Sequence, residues 1–376
     1  MELRFTKEQR ELQQAIRQFS RAEIASAVPV MESEERFPIG LIRQMAEREW
    51  LGIPIPKQWG GAGSDFISYI IAINEVSRIS AAVGVILSVH TSVCTLPILN
   101  YGTDQQRHQF VRRLAIGESI GAFALTEPHA GSDAAAIRSS AERKGDDYEL
   151  NGSKLFITNA GAAGIYLLFA VTDGTKRAGG ITAFIVPGDT EGLHIGKPER
   201  KMGLHGSNTC ELHFEQMRIP AEYRLGREGE GFAIAKGSLD GGRIGIAAQA
   251  LGIAEAAVQV LQERLQPPKG KHAQYTQSHA ELAELKARTE AARLLVYRAA
   301  SLRQEGRPCT KEASMAKMFA SDTAVAVSGA VVRLLGRDGL SKDLSAERLF
   351  RDAKVTQIYE GTNEIHRIVI SSRLMK

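Results

Sequence analysis

Cysteine is scarce in this chain: Cys94, Cys210 and Cys309 are the only three among 376 residues, far apart and odd in number. That excludes a disulfide framework as the source of stability and favours a reducing compartment. The nine histidines form no HExxH pattern and have no CxxC partner, so no metal is expected. Charge of one sign is also missing. The 47 basic and 43 acidic residues leave a net +4, and the basic ones are scattered beyond pairs such as Arg112-Arg113, so no nucleic-acid partner is expected. The most apolar stretch, around Ile79 to Leu87, reads as interrupted and too short to span a bilayer, so no membrane role is expected. The chain opens Met1-Glu2-Leu3-Arg4-Phe5-Thr6-Lys7-Glu8-Gln9. That reads as a helix start with a Thr6/Gln9 capping box and not as a leader, and a cytoplasmic protein is expected. Aromatics make up only 6%, while alanine and glycine abound, which favours closely packed helices.

What is present suffices for a large core divided among two or three domains. Residues 1–120 read as helices, with Leu12, Ile16 and Phe19 at helical spacing and breaks at Phe37-Pro38, Pro54-Ile55-Pro56 and Trp59-Gly60-Gly61-Ala62-Gly63. The last of these lacks the lysine and the strand–helix context of a phosphate loop, so a surface turn is expected. Residues 121–230 change period. Short β-rich runs at 165–171, 181–186 and 209–214 are bounded by turn formers, and Asn151-Gly152 between Tyr148-Glu149-Leu150 and Lys154-Leu155-Phe156-Ile157-Thr158 predicts a two-residue hairpin. A compact antiparallel β domain, sandwich or barrel, is expected there. Residues 231–376 are helical again, with helices expected over 244–265, 282–304, 311–335 and 345–359 forming a four-helix bundle. The fold class is therefore α+β in three parts: helical, antiparallel β, four-helix.

Three constellations carry chemistry. In Gln357-Ile358-Tyr359-Glu360-Gly361-Thr362-Asn363-Glu364-Ile365-His366-Arg367, one carboxylate, Glu360, stands between an aromatic residue and a glycine. Poor solvation there raises its pKa, which suits a general base for a carbon acid. Gly361 lets a flat group approach the backbone, and Thr362 or Asn363 can cap the following helix. The second constellation runs from Gly121 through Phe123, Leu125, Thr126, Glu127, Gly131 and Ser132 to Asp133. Its turn exposes backbone N–H groups suited to the polar edge of a planar cofactor or to phosphate. The third is Leu239-Asp240-Gly241-Gly242-Arg243, read as the opening of the first bundle helix, with an arginine whose forked donors suit phosphate.

Taken in order along the whole chain, these motifs, together with Lys201-Met202-Gly203-Leu204-His205-Gly206-Ser207, closely resemble the acyl-CoA dehydrogenase family, in texture its short-chain and branched short-chain members. The resemblance implies Glu360 as the catalytic base and FAD as the cofactor. It further implies flavin contacts from Phe123, Leu125, Thr126, Gly131, Ser132, Phe156, Ile157, Thr158, Thr362 and Glu364, and thioester or coenzyme A contacts from Ser132, Asp240, Arg243 and Gly361. Carried over, the reaction is α-proton removal with β-hydride transfer to the flavin. It yields a trans-2-enoyl-CoA, with an electron-transferring flavoprotein as acceptor and a homotetramer that holds FAD at a subunit interface. Some relatives place the base before the arginine, where this chain has Gly242, so Glu360 is the base on offer.

Two departures fall at the adenosine end of FAD. Arg264 matches an Arg-x-x-Phe-Gly element, but Pro267-Pro268 replace Phe-Gly. Arg333-Leu334-Leu335-Gly336-Arg337 stands where relatives carry Gln-x-x-Gly-Gly. Proline removes an N–H, so that turn must differ; Arg333, Gly336 and Arg337 are the expected contacts in an adjusted pose. Two other readings share these residues: an oxygen-using acyl-CoA oxidase, and a flavin-poor paralogue that binds acyl-CoA without oxidising it.

Overall fold

The computed structural model describes residues 4–265 and 276–375. The first helix, Lys7–Phe19, starts as expected: the Thr6 side chain accepts from the Gln9 backbone N–H and the Gln9 side chain answers in a capping box. Ile16 and Phe19 face the core. The turn at 59–63 is tight, with Gly60 and Gly63 in the left-handed region and Trp59 and Gly61 buried against the rest of the domain. The apolar stretch behind it is longer than the sequence reading allowed. Ala81–Ser88, the π-helical turn Val89–Thr95 and Leu96–Tyr101 form one 21-residue helix. Among the described residues three helices are long and apolar enough to cross a membrane, this one, Gly231–Arg264 and the span Thr310–Leu340; the most apolar 18-residue windows of the first two are 89% buried inside the fold, that of the third 39%.

The middle of the chain forms one eight-stranded sheet. Its strands are β1 (Gly121–Ala124), β2 (Ser140–Lys144), β3 (Asp147–Thr158), β4 (Ile165–Val171), β5 (Ile181–Pro187), β6 (Leu193–Ile195), β7 (Thr209–Pro220) and β8 (Arg224–Leu225), in the order β6-β7-β3-β2-β4-β5-β8, with β1 beside β4. The pairing is antiparallel except that β1 runs parallel to β4, and β2 meets β4 in parallel at Ser140 and Val171. The expected hairpin at Asn151-Gly152 does not exist. β3 runs straight through it, and the turn lies at Gly145-Asp146 between β2 and β3. Asn151-Gly152 is instead a register shift in the pairing with β7, where the Asn151 Oδ1 accepts from the Gln216 N–H (2.7 Å). An Asn-Gly pair suits a bulge as well as a turn, and only long-range pairing decides between them.

The C-terminal helices are Gly231–Arg264, Gln277–Gln304, Thr310–Leu335, Ala346–Val355 and Asn363–Leu374. The first begins 13 residues before the expected 244, so Asp240-Gly241-Gly242-Arg243 lies within it and does not open it. Two adjacent glycines weaken a helix locally, but tertiary contact overrides propensity here. Gly241 packs on the Arg303 guanidinium, and Gly242 meets the Glu360 carboxylate so closely that an added Cβ would displace it. Pro267-Pro268 lie outside the described residues.

Candidate active site

Glu360 follows the turns that end helix Ala346–Val355 and precedes the helix capped by Thr362, whose hydroxyl accepts from the Ile365 N–H. Its backbone is left-handed, φ 53°, and Gly361 follows at φ 91°. For a glutamate that conformation is strained, and hydrogen bonds hold it. The Asn363 N–H donates to the Gln357 carbonyl (3.0 Å), and the Lys317 Nζ donates to the Gly361 carbonyl (2.6 Å) and the Asn363 Oδ1 (3.1 Å). The Glu360 Oε2 is buried without a hydrogen-bond partner. Burial pushes its pKa up to about 7, against the opposing charges of Arg243 and Lys317. A carboxylate so poised can accept a proton from a weak acid near neutrality.

The long helix Gly231–Arg264 supplies the opposite wall. Gly242 meets the Glu360 carboxylate, and one turn on Gly245 packs on Ser88, whose carbonyl accepts from the Tyr69 hydroxyl (3.0 Å). Two turns on, Gln249 accepts from the Tyr359 hydroxyl and donates to the Ala81 carbonyl (2.8 Å). Asp240 and Arg243 pair at 3.1 Å, and the Asp240 Oδ2 accepts from the Thr310 hydroxyl (2.6 Å). The Arg243 Nε is buried and unpartnered, an orphan donor beside the base. Asp240 also lines a cleft of about 360 Å³ together with Ser92, Leu96, Arg303, Arg307 and Thr310. A cleft that holds two arginines suits a phosphate-bearing ligand.

A second group sits on the sheet. A register shift between Lys154 and Ile157 puts Phe156 at φ 57° and flips the alternation of β3. Lys154 and Ile157 are buried, while the Phe156 ring is 59% exposed, an aromatic face without a core to fill. Thr126, Phe123 and Thr158 are half-buried, and Gly131 and Ser132 exposed; Leu125 and Ile157 have buried side chains, so neither side chain is open to a ligand. The segments around Leu125 and Phe156 are clamped together by a buried ion pair. The Lys154 Nζ donates to the Glu127 Oε1 (2.7 Å) and the Leu125 carbonyl (3.2 Å), and Glu127 also accepts from the Arg138 and Ser139 N–H groups. Burial pulls the Lys154 pKa down to about 8. The Asn159 amide, one residue past Thr158, donates to the carbonyls of Ile86 and Gly121, tying this group to the helix beside Ser88.

The third group lies apart. Arg264 is exposed at the end of its helix, Arg333 pairs with Glu281, and Gly336 and Arg337 are exposed in the following turn. Arg333 is 16 residues beyond Lys317, about 24 Å along the same helix. Glu364 is exposed as well.

Three family descriptions match in order: acyl-CoA dehydrogenase N-terminal domain over residues 6–118, middle domain over 122–217 and C-terminal domain over 229–375. The chain belongs to the acyl-CoA dehydrogenase family. An acyl-CoA dehydrogenase of Bacillus subtilis is 54% identical over 374 residues, covering 98% of both chains. The butyryl-CoA dehydrogenase structure from Megasphaera elsdenii superposes with a TM-score of 0.97 at 42% identity, covering 100% of both chains. A chain in the structure described as electron transferring flavoprotein of Acidaminococcus fermentans matches equally, with TM-score 0.97, 42% identity and 100% of both chains. An acyl-CoA dehydrogenase is an FAD-dependent oxidoreductase, and the exposed face of Phe156 fits stacking on a planar ring. The sequence reading missed Lys317, the Gln249–Tyr359 link and the Lys154–Glu127 pair. Each lysine left a signal: Lys154 occupies an inward position of β3, and Lys317 interrupts the small-residue face Ala313, Ala316, Ala320, Ala324.

Proposed function

We propose that the protein dehydrogenates a short-chain acyl-CoA, straight or branched, between Cα and Cβ and passes the electrons to an electron-transferring flavoprotein. One observation carries the reading: a buried, partnerless carboxylate oxygen, Oε2 of Glu360, seated against a glycine whose missing side chain lets the carboxylate reach the long helix. FAD, when bound against Phe156, Thr158, Phe123, Thr126 and Ser132, supplies the acceptor for the β-hydride. The chain's own residues do the rest. Asp240 at the cleft, with its partner Arg243 behind it, orients the coenzyme A portion, and Glu360 removes the α-proton in a site from which water is excluded.

The short-chain assignment is supported by the Gln249–Tyr359 link. Gln249 lies seven residues beyond Gly242 on the same helix face, about 10 Å along the axis. An acyl chain directed away from Glu360 along that face meets a hydrogen-bonded polar bridge there. The butyryl-CoA dehydrogenase likeness supports the same length, and the match to a chain in the Acidaminococcus structure supports the acceptor. A homotetramer is part of the proposal. The most apolar 18-residue window of Thr310–Leu340 is only 39% buried, Leu340 is 71% exposed, and Arg264, Arg333 and Arg337 are exposed, which leaves them free to meet a second copy and a ligand shared with it. Cytoplasmic placement is proposed with it, and three buried free thiols accord with that.

Anaerobic titration of the purified protein with butyryl-CoA, isovaleryl-CoA and octanoyl-CoA tests the reading. Bleaching of the flavin band by the first or second, and weakly by the third, is expected. Hydrogen peroxide release in air at the full turnover rate would assign an oxidase instead. A colourless protein that binds acyl-CoA even after FAD is added would assign a binding role.

A further inference from the structure

The loop that carries Glu360 is bolted from beneath to one face of helix Thr310–Leu335. Lys317, a fully buried lysine, donates to the Gly361 carbonyl (2.6 Å) and the Asn363 Oδ1 (3.1 Å), so one ammonium spans both sides of Thr362. Asn363 donates in turn to the Ser321 hydroxyl (2.9 Å) and the Asp322 Oδ1 (2.8 Å), and Gln357 reaches the same Asp322 oxygen (2.6 Å). His366 lies under Gly361 with both ring nitrogens buried and unpartnered.

We infer that Lys317 is a positioning residue for the base: it fixes the left-handed Glu360-Gly361 turn and supplies positive charge that favours the ionised carboxylate. The inference rests on Glu360 as the base. A buried ammonium bonded only to a carbonyl and an amide oxygen is costly, and burial pulls the Lys317 pKa down to about 7, opposed first by Glu360 and then by Asp322, with Arg243 lowering it further and Glu364 raising it. Glu360 faces Arg243 from the long helix, Lys317 from below, Tyr69 and Tyr359 at the walls and His366 in the last helix. Burial keeps the His366 pKa down near 3, so the imidazole is neutral, and it is Lys317 and Arg243 that supply the positive charge. When Glu360 ionises, Lys317 is held protonated; when Glu360 takes the substrate proton, that hold weakens. The two groups therefore titrate as a pair.

The test compares wild type, Lys317→Met and Lys317→Arg by two readouts. One is the pH dependence of anaerobic flavin bleaching, and the other is infrared titration of the Glu360 carboxylate without substrate, identified by its loss in Glu360→Gln. In Lys317→Met the Glu360 midpoint rises by about one pH unit in both, since an opposite charge has been removed; KM changes little, and Lys317→Arg returns the midpoint toward wild type. An unmoved midpoint in Lys317→Met, whatever its thermal stability, overturns the inference and leaves Lys317 a structural tether. If that variant does not fold, the reciprocal measurement decides. Coupling is mutual, so NMR of carbon-labelled lysine in Glu360→Gln must show Lys317 losing its proton at lower pH than in wild type, and an unchanged titration overturns the inference. Failure of the wild-type flavin to bleach counts against the dehydrogenase reading alone, because the carboxylate and lysine titrations need no turnover.

Discussion

Gly242→Ala is expected to make the protein more stable and less active at once. Gly242 is inside a helix, where alanine is favoured over glycine by about 0.5–1 kcal/mol. Its added Cβ, however, would fall 2.5 Å from the Glu360 Oε2, 2.7 Å from Cδ and 2.8 Å from Oε1, where ordinary contact begins at 3.4 Å. The carboxylate must retreat by the difference between 2.5 and 3.4 Å, close to 1 Å. The backbone cannot absorb that, because Lys317 and Asn363 hold Gly361 and its neighbours in place. A misplacement of about 1 Å at a reacting group costs about a hundredfold in rate, equal to about 2.7 kcal/mol in the barrier. Stopped-flow flavin reduction by butyryl-CoA under anaerobic conditions gives the rate, and thermal unfolding of the same preparation gives the stability. A Gly242→Ala enzyme that reduces its flavin within a factor of about three of wild type would refute the placement of Glu360 against this helix.

Glu360→Gln should keep its fold and flavin colour but show no bleaching with any acyl-CoA, since the amide cannot take the proton. Its stability should depend on pH in a defined direction. The Glu360 pKa is raised from its unfolded value to about 7, so the native state holds a proton that the unfolded state has lost, and wild type loses stability as pH rises from about 4.5 to 7. Below that window the two proteins should melt alike, and above it Glu360→Gln should melt higher; equal melting temperatures at pH 8 would contradict the buried carboxylate. Phe156→Ala should weaken FAD binding about tenfold, the equivalent of one lost stacking contact. The apoprotein melting temperature should hardly change, because the ring is 59% exposed. Asp240→Asn should raise KM for acyl-CoA more than it lowers kcat, because it frees Arg243 and Thr310 from their shared partner; an unchanged KM would remove Asp240 from the binding cleft.

Local features of the fold were legible where a residue's neighbours in sequence are also its partners in space. The Thr6 capping box and the Thr362 cap are of that kind, since each cap is specified within a few residues. The readings that failed involve distant partners. Asn151-Gly152 carries turn chemistry, but β7 pairs across it and turns it into a bulge. Gly241-Gly242 looks like a helix boundary until Arg303 and Glu360 are brought against it.

The sequence by itself therefore determined the order of helical, β and helical parts and the family to which they belong. Periodicity, caps and motif spacing are local properties that survive without a structure. Only the tertiary structure decided how the base is held and tuned. The strained turn at Glu360, the buried ammonium of Lys317, the orphan Nε of Arg243 and the Gln249–Tyr359 bridge all join segments that are tens to hundreds of residues apart. Burial, which sets the proton affinities of Glu360 and Lys317, is a property of the assembled core and has no counterpart in the order of residues along the chain.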